Sequence, residues 1–251
     1  MAELYTRTDI YDLFQTAEYE TAVKKHWEVI QDQTGINSLL DCSIGTGNLT
    51  LPAAELGIKI SGSDLSKEML AACEKKAQKK GYSINLKQSD FRNLGTAFDC
   101  QFDCVGSTGN SLPHVNGEDV LTTLEQMDRL VKKGGYLYFD MRNWDKILHE
   151  KKRFYLYPPQ FKEDIRINLV QVWDYNEDAT MDFHLLYTFE RENLILQTEE
   201  FTEHYYPIKR EILLNKLENM GYKDIKVMCH PAYFQNVDPD IADWYCVFAK
   251  K

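Results

Sequence analysis

The chain has 251 residues, 43% hydrophobic and 27% charged, the profile of an ordered globular enzyme rather than a disordered chain. No apolar window approaches the ~20 residues needed to cross a bilayer, and the amino terminus MAELYTRTDIYDLF lacks a basic n-region and an apolar h-region, which predicts a cytoplasmic protein without membrane contact. A formal net charge of -10 disfavours a nucleic-acid partner, because holding a phosphate backbone needs clustered Lys and Arg.

The length suits one α/β domain with a substantial insertion. Tyr5 to Phe14 is polar and aromatic without clear periodicity, an extended or short helical segment. Glu18 to Ile30 carries apolar residues at helical spacing and stops at Gly35. Ile36 to Cys42 is a first strand, followed by the turn Gly45-Thr46-Gly47 and a helix from Asn48 to Leu56. Ile58 to Ser63 is a second strand ending in Asp64, and Ser66 caps a helix whose apolar stripe includes Leu65, Met69, Leu70 and Cys73. On that helix the pairs Lys75-Lys76 and Lys79-Lys80 read as a solvated face. Ser83 to Gln88 and Phe102 to Ser107 are the third and fourth strands, a helix runs from about Glu118 to Val131, and Gly134-Gly135 turns it into a fifth strand, Tyr136 to Met141. Strands alternating with helices imply a mostly parallel sheet with right-handed crossovers.

After Arg142 the pattern becomes antiparallel: Ile165 to Tyr175, Thr180 to Glu190 and Asn193 to Tyr206 alternate apolar and polar residues and read as a three-stranded meander. A helix over Ile208 to Met220, a strand over Tyr222 to Cys229 and a last strand over Ala242 to Ala249 then close the sheet edge. The expected division is residues 1–144 with 207–251 as one domain, and 145–206 as an inserted antiparallel subdomain covering the active site. The six cysteines form no C-x-x-C and have no matching Cys or His pair, so neither a metal nor a disulfide is expected.

Glycines straight after a buried strand bring a small polar ligand to the carboxyl edge of the sheet. Here Thr50 stands where a dinucleotide fold has its third glycine, and Asp41 precedes Gly45 by four residues. A carboxylate beside the turn repels a pyrophosphate and favours an ammonium or sulfonium, which argues against a nicotinamide-dependent oxidoreductase. Asp64, at the end of the second strand, can accept both hydrogen bonds of a ribose diol; as an acid at a helix start it also suits the helix dipole. Asp90 and Phe91 end the third strand, placed for an adenine amino group and an adenine face.

These segments carry a resemblance. LLDCSIGTG, GSDLSKEML and SDFRNL are similar to the first three motifs of the class I S-adenosylmethionine (SAM)-dependent methyltransferases, with Ser43 where that family more often has Gly or Ala. The resemblance implies a Rossmann-like sheet, SAM as cofactor, and cofactor contacts from Asp41, Gly45, Gly47, Asp64, Leu65, Asp90, Phe91 and Ser107. Gly109 to His114 (GNSLPH) and Asp140 to Leu148 (DMRNWDKIL) further resemble segments of the glycine and sarcosine N-methyltransferases, as do Thr16 to Tyr19 and His204 to Pro207. From that family the implied acceptor contacts are Asn110, on the substrate, and Arg142, on its carboxylate. Two features depart from it: no arginine near the amino terminus aligns with the one that holds the methionyl carboxylate, and Asp90-Phe91 replaces a frequent Asn-Trp.

Arg142 follows a buried strand, where a guanidinium binds a carboxylate through two parallel bonds; the plainer role is an ion pair with Asp140, Asp145 or an acid of the insertion. His114 is left open between packing and cofactor contact. Tyr187 and Tyr206, with Tyr205 and Tyr233, are expected either in the core or around the transferring methyl group. The reading is therefore a methyltransferase for the amine of a small carboxylate-bearing acceptor such as glycine or sarcosine. Alternatives are another small molecule (an amino sugar, other amine or hydroxyl) or a non-catalytic SAM-binding protein.

Overall fold

The computed structural model describes residues 3–231 and 237–251, so Tyr233 lies outside the described residues. Among the described residues, twelve strands and six α-helices follow one another in this order: α1 (Thr8–Tyr11), α2 (Ala17–Thr34), β1 (Ser38–Asp41), β2 (Lys59–Asp64), α3 (Lys67–Lys80), β3 (Asn85–Gln88), β4 (Phe102–Ser107), α4 (Gly117–Leu130), β5 (Val131–Arg142), α5 (Trp144–Glu150), β6 (Phe154–Leu156), β7 (Gln160–Lys162), β8 (Ile165–Tyr175), β9 (Met181–Arg191), β10 (Leu194–Tyr205), α6 (Arg210–Asn219), β11 (Lys223–Cys229) and β12 (Trp244–Lys250). No described helix is long and apolar enough to cross a membrane.

Seven strands form the first sheet in the order β11-β12-β5-β4-β1-β2-β3, all parallel except β12. Both faces of β1 are covered: Leu40 packs into one core with Val105, Leu137 and Phe139, while Leu39 packs into the other with Ile60, Trp27 and Cys73. That two-sided burial is why this strand reads as a continuous apolar run. The sheet is Rossmann-like, and its strand order reverses between β1 and β4, which opens a crevice outside their carboxyl ends.

The second sheet has the order β10-β9-β8-β6, with β7 also paired to β8, all antiparallel. The expected meander is its β8, β9 and β10; β6 and β7 are additions of three residues each, too short to carry a period in sequence. On β9, Met181, Phe183, Leu185 and Tyr187 turn inward and pack against Trp144 of α5 and against Leu4, Ile10 and Leu13 of the amino-terminal segment. That segment is helical in two short pieces, a 3-10 turn at Glu3–Thr6 and α1.

The turn after β1 differs from its expectation. In place of a helix over Asn48 to Leu56 there is a 3-10 turn, Leu51–Leu56, with a proline near its start and Gly57 at its end. Pro52 lacks a backbone donor, and the Thr50 side chain is recruited elsewhere. It bonds Asp41, whose fully buried carboxylate also accepts the Thr108 hydroxyl at 2.7 Å and the Ser43 N–H at 3.1 Å. Asp41 thus stands behind the turn and braces it, whereas the sequence reading put its charge beside a cationic ligand. Burial pushes its carboxyl up to about 6, against the pull of those three bonds. Leu65 also differs: it precedes α3, whose buried stripe is Met69, Leu70, Cys73 and Ala77, and is 47% exposed.

Gly47 has φ +84°, and a Cβ there would lie 2.6 Å from Leu51 Cγ and 2.8 Å from Cys73 Sγ. Gly47→Ala combines a left-handed backbone with overpacking against the core, so chemical denaturation should show a loss of about 2–4 kcal/mol. Asp41 predicts a pH signature. Its folded pKa lies above the unfolded value of about 3.9, so its stabilising share is complete below that value and is lost as pH rises through about 6. Between pH 4.5 and pH 7, wild type should therefore lose about 2 kcal/mol relative to Asp41→Asn, measured by denaturation at both pH values.

Candidate active site

Two cavities of about 520 and 370 Å³ lie along the crevice, and Ser43 lines both. Ser43 ties the two sides together: its Oγ is 3.0 Å from Ser107 Oγ and accepts the Thr108 N–H at 3.0 Å. Tyr11 is on the wall of the smaller cavity, its hydroxyl 3.9 Å from where a Cβ would sit on either Gly45 or Gly109. The segment bearing Tyr11 is anchored at several points. Asp12 accepts Thr46 Oγ1 and Asn48 Nδ2, each at 2.8 Å, and pairs with Lys76 at 2.8 Å. Ser66 Oγ donates to the Tyr5 carbonyl at 2.7 Å.

The larger cavity gathers four of the anticipated cofactor residues, Asp64, Leu65, Asp90 and Phe91. Asp64 is fixed by the Gly45 and Ser66 N–H groups, both at 2.9 Å, one on each oxygen. Each oxygen keeps a further lone pair, so a diol can still be accepted. Burial raises the carboxyl above its ordinary range, with those N–H groups opposing. Asp90 differs from the simple expectation because Arg92 grips both its oxygens and holds its carboxyl below the usual range. Arg92 in turn reaches Asp119, another residue of the cavity wall. Gly45, Gly47, Asp41 and Ser107 line neither cavity: Gly45 gives its N–H to Asp64, Gly47 permits packing, and Ser107 and Asp41 hold the loops.

The four anticipated acceptor residues split into a linked pair and two separate tyrosines. Asn110 has φ +60° at the β4 loop, and its Oδ1 accepts the Arg142 N–H at 3.0 Å and the Trp144 indole N–H at 3.2 Å. Two donors on one atom fix the amide's orientation, leaving Nδ2 buried and without a partner. Its two amide hydrogens are therefore left to donate. The Arg142 guanidinium is buried over Trp244, Phe183 and Trp173 at 4.9, 5.2 and 5.7 Å from their ring centroids. Its Nη2 reaches Tyr157 Oη and Gln171 Oε1, both at 3.3 Å, and Nε has no partner. Among the described residues it forms no ion pair: Asp140 accepts the Gly109 N–H instead, and Asp145 the Arg210 N–H, each at 2.8 Å. Tyr157 and Trp244 line the smaller cavity, so Arg142 touches that wall from outside.

Tyr187 lies in the core beneath the second sheet, with its ring 6.3 Å from Phe14 and 6.0 Å from Phe201, and lines neither cavity. Tyr206 lines the larger cavity and gives its N–H to the Pro113 carbonyl at 2.7 Å. His114 also lines that cavity; its Nδ1 is 3.2 Å from the His204 carbonyl and its Nε2 is 2.8 Å from the Tyr5 hydroxyl. Burial holds its imidazole below the ordinary pKa. Residues not anticipated are Tyr5, Tyr11 and Phe14, from a segment whose aromatic density was its only signal, and Trp244, at the start of the last strand. Among the described residues no cluster of His, Cys, Asp or Glu is placed to hold a metal.

Comparison with known proteins agrees with this geometry. A family model described as a methyltransferase domain matches residues 39–135, from the start of β1 into β5. A glycine/sarcosine N-methyltransferase of Aphanothece halophytica is 27% identical over 221 residues, 86% of this chain and 77% of that protein. Among solved structures, an S-adenosylmethionine-dependent methyltransferase from Clostridium acetobutylicum superposes with a TM-score of 0.75 at 16% identity, covering 97% of this chain and 96% of the other. SAM-bound CalS10, an amino pentose methyltransferase from Micromonospora echinaspora, gives 0.73 at 13% identity over 97% and 95%. The Rossmann-like sheet that reverses between β1 and β4 is thus the fold of these solved methyltransferases, and the domain match, the relative and the structures together support a class I SAM-dependent methyltransferase.

Proposed function

We propose that the chain methylates the amine of a small acceptor that also bears a carboxylate, of the glycine or sarcosine kind. The observation that carries this reading is the Arg142 guanidinium, buried without a carboxylate partner, together with the unpartnered Nδ2 of Asn110, whose Oδ1 accepts the Arg142 backbone N–H. A buried cation costs free energy unless an anion joins it, and a carboxylate across these two groups supplies both the charge and the acceptor oxygens. Asn110 then contacts the acceptor's oxygen end, and the amine points away from it.

The cofactor's fit follows from the paired cavities. Asp64 and Phe91 in the larger one suit a nucleoside, and the passage beside Ser43 and Tyr11 leads on towards Thr46 and Asn48 in the smaller one. SAM, when bound, supplies an electrophilic methyl group. The chain's own contribution is alignment and exclusion of water: Tyr11, Phe14, Tyr157 and Trp244 wall the second cavity with rings, and ring faces favour a cationic sulfonium. In this reading residues 145–206, the inserted sheet, cover the site together with the amino-terminal segment, Tyr206 lines its margin and Tyr187 packs the core behind it.

A second reading is favoured by one observation. The smaller cavity, about 370 Å³, exceeds the needs of a two-carbon amino acid and suits an amino sugar or another larger amine or hydroxyl acceptor. The amino pentose named for CalS10 is of that kind. Turnover of radiolabelled SAM on a panel of amino acids, amino sugars and hydroxyl acceptors separates the two readings.

Arg142→Lys keeps one charge but loses the planar fork. With a carboxylate acceptor its KM should rise tenfold or more while the SAM Kd, measured by calorimetric titration, stays within about twofold. An equal loss of both would remove Arg142 from the acceptor site.

A further inference from the structure

Glu203 is a buried carboxylate that no anticipated role uses. It is 4% exposed on β10, and its Oε2 accepts the Tyr5 hydroxyl at 3.0 Å and the Tyr205 hydroxyl. Its Oε1 is buried without a partner. Among the described residues the only potential cation within 4.0 Å is His114, whose Nε2 lies at that distance. Tyr11 and Tyr187 stand within electrostatic reach and carry no positive charge. A carboxylate removed from water in this way is costly unless a cation arrives to meet it.

Its position says which cation. Tyr205, which holds Oε2, packs its ring 4.9 Å from Phe183 and 5.3 Å from Trp144. Phe183 lies under the Arg142 guanidinium, and the Trp144 indole N–H is held by Asn110 Oδ1. One cluster of three rings is thus bordered by three buried, unpartnered polar atoms: Arg142 Nε, Asn110 Nδ2 and Glu203 Oε1. Through those rings a positive charge and a donor, on Arg142 and Asn110, are linked to a negative charge on Glu203. That polarity is complementary to a zwitterion, with its carboxylate towards Arg142 and Asn110 and its ammonium towards Glu203.

We propose that Glu203 recognises the acceptor's ammonium group and takes its proton, an inference that rests on the amine-acceptor reading above. An ammonium has no lone pair, so one N–H bond must break before the nitrogen can form its bond to the methyl group. The N–H pair stays on nitrogen and the proton goes to Glu203 Oε1; the carbon–sulfur bond of SAM then breaks with its electrons on sulfur. The proton has a built exit. His114 Nδ1 must carry hydrogen to bond the His204 carbonyl, so the neutral ring presents a lone pair at Nε2. Tyr5, with one hydroxyl proton, lies between that nitrogen and Glu203 Oε2. A half-turn of the carboxyl about its Cγ–Cδ bond carries that proton to the position facing Tyr5, which takes it while passing its own hydroxyl proton to His114 Nε2; His114, on the wall of the larger cavity, then releases one proton to water per turnover.

Glu203→Gln retains an oxygen for both tyrosines and removes the charge. At pH 7, calorimetry should give an amine-acceptor Kd raised tenfold or more with the SAM Kd within twofold, and kcat should fall at least tenfold. Both acceptor parameters should converge on wild type above the pKa of the free amine, where no proton needs to be taken. Tyr5→Phe keeps the carboxylate but cuts its link to His114, so kcat should fall while the acceptor Kd holds; it also serves if the first variant does not fold. Variants that bind and turn over an amine like wild type across this pH range overturn the role of Glu203 alone. A wild-type enzyme that methylates only hydroxyl acceptors overturns the amine reading, and the proposal with it.

Discussion

The crevice depends on the carboxylate of Asp41. Backbone pairing brings β1 and β4 side by side, but nothing in a parallel ladder fixes how the loops beyond two diverging strands lie against each other. Asp41 does that from behind by accepting hydroxyls from Thr50 on one loop and Thr108 on the other. The cost is a charge taken out of water, and the raised pKa expresses it. What is gained is a Gly45 N–H aimed at Asp64 and a Ser43 hydroxyl facing the β4 loop. The ligand-facing surface is made of these consequences, while the acid that produces them stays hidden.

The second sheet and the amino-terminal segment complete the site in a different way. They share a core with α5, so the aromatic rings around Arg142 come from three parts of the chain: Trp173 and Phe183 from the inserted strands, Trp244 from the last strand, and Trp144 next to Arg142 itself. A guanidinium stacked among such rings is oriented by them even where its hydrogen bonds are few and long. In the proposed reading the acceptor end is assembled by packing and the nucleoside end by backbone turns. Such a division lets a family retain one cofactor while its acceptors vary.

The legibility of the sequence follows the same division. The parallel strands, the glycine turn and the capping residues Ser66 and Gly35 were readable because each has a local cause. The pattern marks Asp41, but sequence gives no orientation: only the fold shows its carboxylate buried and turned to the hydroxyls of Thr50 and Thr108. Tyr187 and Tyr206 looked equivalent as tyrosines of one meander. Yet Tyr187 turns into the buried face of β9, whereas Tyr206 lies just past the end of β10 and reaches the larger cavity. Glu203 reads as one of several acids on an exposed edge strand. Only the assembled core shows that residues 201, 203 and 205 turn inward.

The position of Tyr11 bears on how tightly a ligand can be held. Its hydroxyl stands 3.9 Å from where a Cβ would sit on either Gly45 or Gly109, so a ligand drawn between those two loops must displace it. Its withdrawal is opposed by the neighbouring ties of Asp12 to Thr46, Asn48 and Lys76. The affinity seen in solution is then the intrinsic affinity scaled by the fraction of molecules with the passage clear. Loosening the strap strengthens apparent binding without adding a single contact to the ligand, and it shortens the time a bound product is retained.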